Sequence, residues 1–142
     1  MRFACRNFGL SDLPRRGVVP PDAPLEVLLL DIEAELSICE RARVVWTEQG
    51  FPVAELAYHL ALWSQRPAGR EDFELDSMQA EVGLIRIVCS EDGWRVGSAL
   101  TPDFWTSPVA WEDLVAAIQD FNRAVREGVA AMGIAPAFIP EL

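Results

Sequence analysis

Residues 25–38 read LEVLLLDIEAELSI, and the assignment of this stretch decides the fold. Its first half, Leu25–Leu30, is apolar on both faces. Its second half alternates: Ile32, Ala34, Leu36 and Ile38 fall on one side, and Asp31, Glu33, Glu35 and Ser37 on the other. A start apolar on both faces followed by period-two alternation predicts one long strand, buried on both faces at first and on one face later. Arg43–Gln49 follows after a short turn as its partner. Upstream, Arg2–Phe8 reads as a short strand at a sheet edge. It belongs to a basic arm, residues 1–24, that carries Pro14, Pro20, Pro21 and Pro24. Residues 25–142 read as a single domain.

Downstream the period changes. Phe51–Ser64 predicts a helix with Pro52 near its first position, striped by Val53, Leu56, Ala57, Leu60 and Ala61. Gln65–Arg70, with Pro67 and Gly69, stops it. Phe73 and Leu75 suggest a short strand. Val82–Ser90 and Trp94–Leu100 form a hairpin turning at Asp92-Gly93. With Glu91 opposite Trp94, the core face holds Cys89 opposite Val96, Ile87 opposite Ser98 and Ile85 opposite Leu100. Arg86 and Arg95 then lie on the other face. A second helix opens at Ser107-Pro108, with Glu112 and Asp113 at its positive end. Its stripe runs through Trp111, Leu114, Val115, Ile118, Phe121, Val125, Val129 and Met132 as far as Gly133. The expected fold is α+β: a mixed or antiparallel sheet of about five strands with two helices on one face, ordered ββ-α-β-ββ-α.

Charge is distributed unevenly. Residues 1–20 hold four arginines against one acid, net +3, and residues 21–142 hold eight against twenty-one, net −13. Lysine is absent, so every side-chain cation at neutral pH is a planar guanidinium. Hydrophobic content of 51% rules out a disordered acidic tail. A chain of net charge −10 lacks the basic face that nucleic acid requires. No apolar run approaches the roughly 20 residues of a membrane helix, and the N-terminal stretch lacks a secretory signal's apolar core. Cys5, Cys39 and Cys89 have neither disulfide nor zinc spacing, so a reduced cytoplasm is the expected compartment.

Candidate chemistry is sparse. His59, the single histidine, sits on a nearly apolar helix with no nucleophile motif beside it, and reads as structural. On a strand, Asp72, Glu74 and Asp76 share one face, with Glu81 close behind. A calcium loop counted from Asp72 fails, because Ser77 and Gly83 stand where glycine and glutamate are needed. Asp31, Glu33 and Glu35 form a second ladder, expected to share an outer face with Arg86 and Arg95. Two arginines cannot neutralise so many carboxylates, so a net-negative face persists. Phe104 and Trp105 are placed in a loop between Pro102 and Pro108, with Trp105 a candidate anchor.

The stretches FPVAELAYHLALW (51–63), EDFELDSMQAEVGLIRI (71–87) and GWRVGSAL (93–100) resemble a family of small uncharacterised proteins from high-GC bacteria. There a helix ending in Leu-x-x-Trp precedes an acidic-aromatic strand and a hairpin, and the likeness covers about residues 25–133. The layout also looks like that of bacterial immunity proteins, small acidic α+β domains that neutralise a toxin by binding it. Neither likeness assigns a functional residue.

The leading expectation is a non-enzymatic protein that captures a basic protein partner. Its charged surface would be Asp31, Glu33, Glu35, Asp72, Glu74, Asp76 and Glu81, with Trp105 as anchor and no cofactor or metal. One alternative is a small-ligand site or small enzyme with a pocket between sheet and helices holding Glu81, His59 or Arg86. Another is a homodimeric structural or regulatory module joined through a sheet edge or a helix surface.

Overall fold

The computed structural model describes residues 1–10, 23–66, 71–77 and 82–142. Their strands form two antiparallel sheets. The first joins β1 (Arg2–Leu10), β2 (Ile32–Glu40) and β3 (Arg43–Phe51) in that spatial order. The second joins β4 (Phe73–Asp76), β5 (Val82–Ser90), β6 (Gly93–Ser98) and β7 (Thr101–Trp105). Three α-helices, α1 (Leu25–Asp31), α2 (Val53–Ser64) and α3 (Trp111–Ala131), precede a short 3-10 turn at Pro136–Phe138. The fold class is therefore α+β as expected, with two sheets in place of one and three helices in place of two.

The apolar half of the opening stretch is helix, not strand. Leu25–Asp31 buries Leu28, Leu29 and Asp31 and leaves Leu25 and Glu26 exposed, and the Leu28 amide donates to the Pro24 carbonyl at 3.1 Å. Six residues, five of them apolar, carry too little period to separate a strand from two helical turns, and leucine propensity favours the helix. The alternating half is the strand the pattern predicts, with Ile32, Ala34, Leu36 and Ile38 buried.

Other boundaries move for local reasons. Phe51 ends β3, and Pro52 becomes the residue before α2. Helix α3 begins at Trp111, after Ala110, because Val109 is held in a bridge to Trp94. The two exchange backbone hydrogen bonds of 2.8 and 2.9 Å, which keeps this segment extended past Ser107-Pro108. The hairpin turns at Glu91-Asp92, and its register is Ser90 to Gly93, Cys89 to Trp94 and Ile87 to Val96. This is a shift of two residues from the expected pairing, so each side chain keeps its face. Cys89, expected inward, lies at the open end of the sheet and is exposed. Phe104 and Trp105 belong to strand β7, not to a loop.

Helices α2 and α3 bridge the sheets. Helix α3 lies along β1 and against α2, while α2 reaches β2 and β4. One continuous core results. On the first sheet Phe3 packs against Phe121 with ring centroids 5.5 Å apart and the rings tilted by 45°. Gly128 lets α3 approach β1 closely, since a Cβ there would collide with the Phe8 ring. On the second, Trp63 meets Trp94 and Trp111 edge to face, those two rings tilt against each other, and Phe73 packs 5.5 Å from Trp63. Each such ring removes on the order of 150–250 Å² from water.

Candidate functional site

Strand β4 is legible from its residues: Phe73 and Leu75 point into the core, and Glu74 and Asp76, with Asp72 just before the strand, are exposed to solvent. It is an edge strand, paired only with β5 among the described residues. The three carboxylates differ in their partners. The Asp72 Oδ1 atom accepts the Cys89 amide at 2.9 Å. Glu74 pairs with Arg86, Oε1 to Nε 3.1 Å. Asp76 has no partner among the described residues. Exposed pairs of this kind contribute about 0–1 kcal/mol each, so this edge is acidic without being neutralised. Just beyond it, Ser77 is buried and donates its hydroxyl to the buried carboxylate of Glu55 on α2 at 2.8 Å. That bond ties the end of β4 to the helix beneath it.

A cross-strand row runs from this edge over the outer face of the second sheet. Glu74 is opposite Arg86, Arg86 opposite Gly97, and Gly97 opposite Trp105. The Trp105 ring lies over Gly97, where any side chain would meet it at 2.7 Å. Trp105 is half-buried at the far side of the same face as Glu74. The structure thus brings together four of the expected residues, Asp72, Glu74, Asp76 and Trp105, on one sheet.

The other ladder stands elsewhere. Glu33 and Glu35 lie on β2, on the outer face of the first sheet, so they do not pair with Arg86 and Arg95. The partner of Glu35 is Arg6 on β1, Oε1 to Nε 2.5 Å. Both neighbouring strands bulge here, and Asn7 (φ 58°) and Gly50 (φ 62°) take left-handed conformations. The bulges open a groove of about 250 Å³ lined by Asn7, Glu33, Glu35, Gln49 and Gly50 among others. Asp31 is not on this surface. It ends α1, only 4% exposed and with interactions of its own, because the alternation that aligned it with Glu33 begins one residue later. Glu81 lies outside the described residues.

His59 is half-buried on α2 in edge contact with Tyr58, ring centroids 5.3 Å apart. Neither His59 nor Arg86 lines the groove, the cavity beside the C-terminal half of α3, or the one at the β2–β3 turn. Among the described residues, no three His, Cys, Asp or Glu side chains are grouped to hold a metal ion. No described helix is long and apolar enough to cross a membrane. Burial pushes the Cys5 thiol up to about 11, which keeps it protonated and a poor nucleophile.

Fold and surface together define a small α+β domain with an acidic sheet edge. A family model, a domain of unknown function (DUF7878), matches residues 20–131, and the chain belongs to that family. It matches no curated protein and no solved structure. Strand β1 lies outside the matched span, although it supplies Phe3 to the core and Arg6 to Glu35.

Proposed function

We propose that the chain is a non-enzymatic binding protein, immunity- or antitoxin-like in kind, acting in the cytoplasm on a basic protein partner. The observation that carries this reading is strand β4. Three exposed carboxylates stand on a sheet edge with one arginine among them, in a chain of net charge −10. Arginine or lysine side chains of a partner would take Asp76 and displace the weak internal contacts of Asp72 and Glu74. Charge-assisted pairs then set orientation and on-rate. Trp105 on the same face supplies an aromatic anchor, and the unpaired edge offers backbone groups to an extended segment. The architectural likeness to immunity proteins points the same way.

The test is affinity capture from native lysate at low and moderate salt, with wild type beside Asp72→Lys/Glu74→Lys/Asp76→Lys. A basic protein retained near 1:1, released by salt and lost from the variant is the expected result. Retention by the variant with unchanged salt dependence overturns the surface assignment. An empty capture with both proteins overturns the basic-partner reading.

A further inference from the structure

The described arginines divide by what they meet. Arg6, Arg86, Arg95 and Arg123 each lie beside a carboxylate. Arg126 donates to the carbonyls of Pro136 and Ile139, which clamps the C-terminal segment to α3. Arg2, Arg41, Arg43 and Arg66 have no carboxylate partner among the described residues; Arg66 follows α2, and the other three stand at one end of the first sheet. Arg2 is opposite Cys39, Arg43 is opposite Glu40, and Arg41 is in the turn between β2 and β3. On a chain of net −10 this end has the opposite sign.

The same end carries a cavity of about 580 Å³, lined by Met1, Glu40, Arg41, Arg43, Ser107 and Val109. That is the size of a small-molecule site, roughly 300–1,000 Å³. Its walls are fixed. Val109 is bridged to Trp94, and the Ser107 amide donates to Glu40 Oε1, which occupies that carboxylate oxygen and sets Ser107 beside the arginines. The Ser107 hydroxyl has no partner among the described residues. Arg41 holds φ at 54°, the left-handed geometry of the tight turn that joins β2 to β3.

We infer that this pocket binds the anionic group, phosphate or carboxylate, of a small molecule. Arg41 and Arg43 supply paired N–H donors to its oxygens, the Ser107 hydroxyl a neutral donor, and Val109 and Met1 an apolar wall. The ligand is small because of the rest of the chain. Beyond a Debye length of about 8 Å a polyanion meets the acidic body and is repelled, while a pocket-sized anion senses only the local guanidinia. The site is separate from the acidic edge, since Asp72, Glu74 and Asp76 take no part in it.

The experiment titrates the full chain with pyrophosphate and separately with citrate, following backbone amides and arginine Nε–H signals by NMR. Saturable shifts confined to residues 40–43 and 107–109 are expected, weakening with added salt. They should weaken at least roughly tenfold in Arg41→Gln/Arg43→Gln, a variant of exposed residues whose melting temperature is checked first. The tighter of the two anions names the group. Absence of saturable shifts with both anions overturns the inference, as does equal affinity in the double variant. Tighter binding of a single-stranded oligonucleotide than of pyrophosphate overturns the small-molecule class.

Discussion

The two sheets are built from similar strands, yet they manage charge in opposite ways. On the first, Glu35 is answered from within the chain by Arg6, and both strands beside β2 bulge next to that pair. On the second, the edge strand β4 and the residue before it present three carboxylates, Asp72, Glu74 and Asp76, and among the described residues Arg86 is their one cationic partner. The first sheet gains α3 as a cover through Phe3, Phe8 and Phe121; the second is closed by tryptophans from two helices. Carboxylate count alone does not mark an interaction surface. What separates the two sheets is the number of carboxylates that the fold leaves without an internal cation among the described residues.

The contrast is broken most severely at the core. Phe121→Ala removes the ring that seats α3 on β1 and should cost about 3–5 kcal/mol in urea unfolding. Because α2 and α3 touch both sheets, far-UV dichroism and tryptophan fluorescence should still report one midpoint; two midpoints would mean that the sheets unfold separately. Gly128→Ala forces a Cβ into the Phe8 ring and should lose about 1–3 kcal/mol despite alanine's better helix propensity. Adding Phe8→Ala should restore part of that loss in a double-mutant cycle.

Ser77→Ala leaves the buried Glu55 carboxylate short of a donor, at about 1–3 kcal/mol, and should loosen β4 from α2. Hydrogen exchange localised to β4 and β5 would show it. Arg6→Gln and Arg86→Gln sharpen the comparison directly. Each should cost at most about 1 kcal/mol and less as salt rises.

The last effect is confined to alkaline pH and is absent at neutrality. The unfolded Cys5 thiol ionises near 9.0, and the folded one only near about 11. Between those values the unfolded chain releases a proton that the native state retains, so stability falls as pH rises through the window. Cys5→Val should flatten that fall in thermal melts between pH 8 and 11, while exposed Cys89 reacts first with an alkylating reagent.

What the sequence revealed follows the reach of its patterns. The β4 alternation and the α3 stripe are local periods, and local periods are read directly. The hairpin came through with its faces intact although its register slipped, because a two-residue slip preserves parity. Leu25–Leu30 failed because a short apolar run has no period to decide between helix and strand. Strand β7 was hidden by Pro102, which demotes a strand signal. Helix α3 was started early because the cue at Ser107-Pro108 is local, while the Val109–Trp94 bridge that overrides it is not. On the candidate surface, the exposure of Asp72, Glu74 and Asp76 was legible. The burial of Asp31 was not, since it depends on where α1 ends. Nor were the bulges around Glu35, which arise only when three strands are aligned.

Trp63, Trp94 and Trp111 come from α2, β6 and α3, with ring centroids between 5.2 and 5.7 Å apart. Indoles this close share excitation, so their strong far-ultraviolet transitions couple and give a paired positive and negative dichroism band that a lone tryptophan lacks. That band exists only while both helices are seated on the second sheet, and it gives the protein an optical gauge of its own assembly that needs no label.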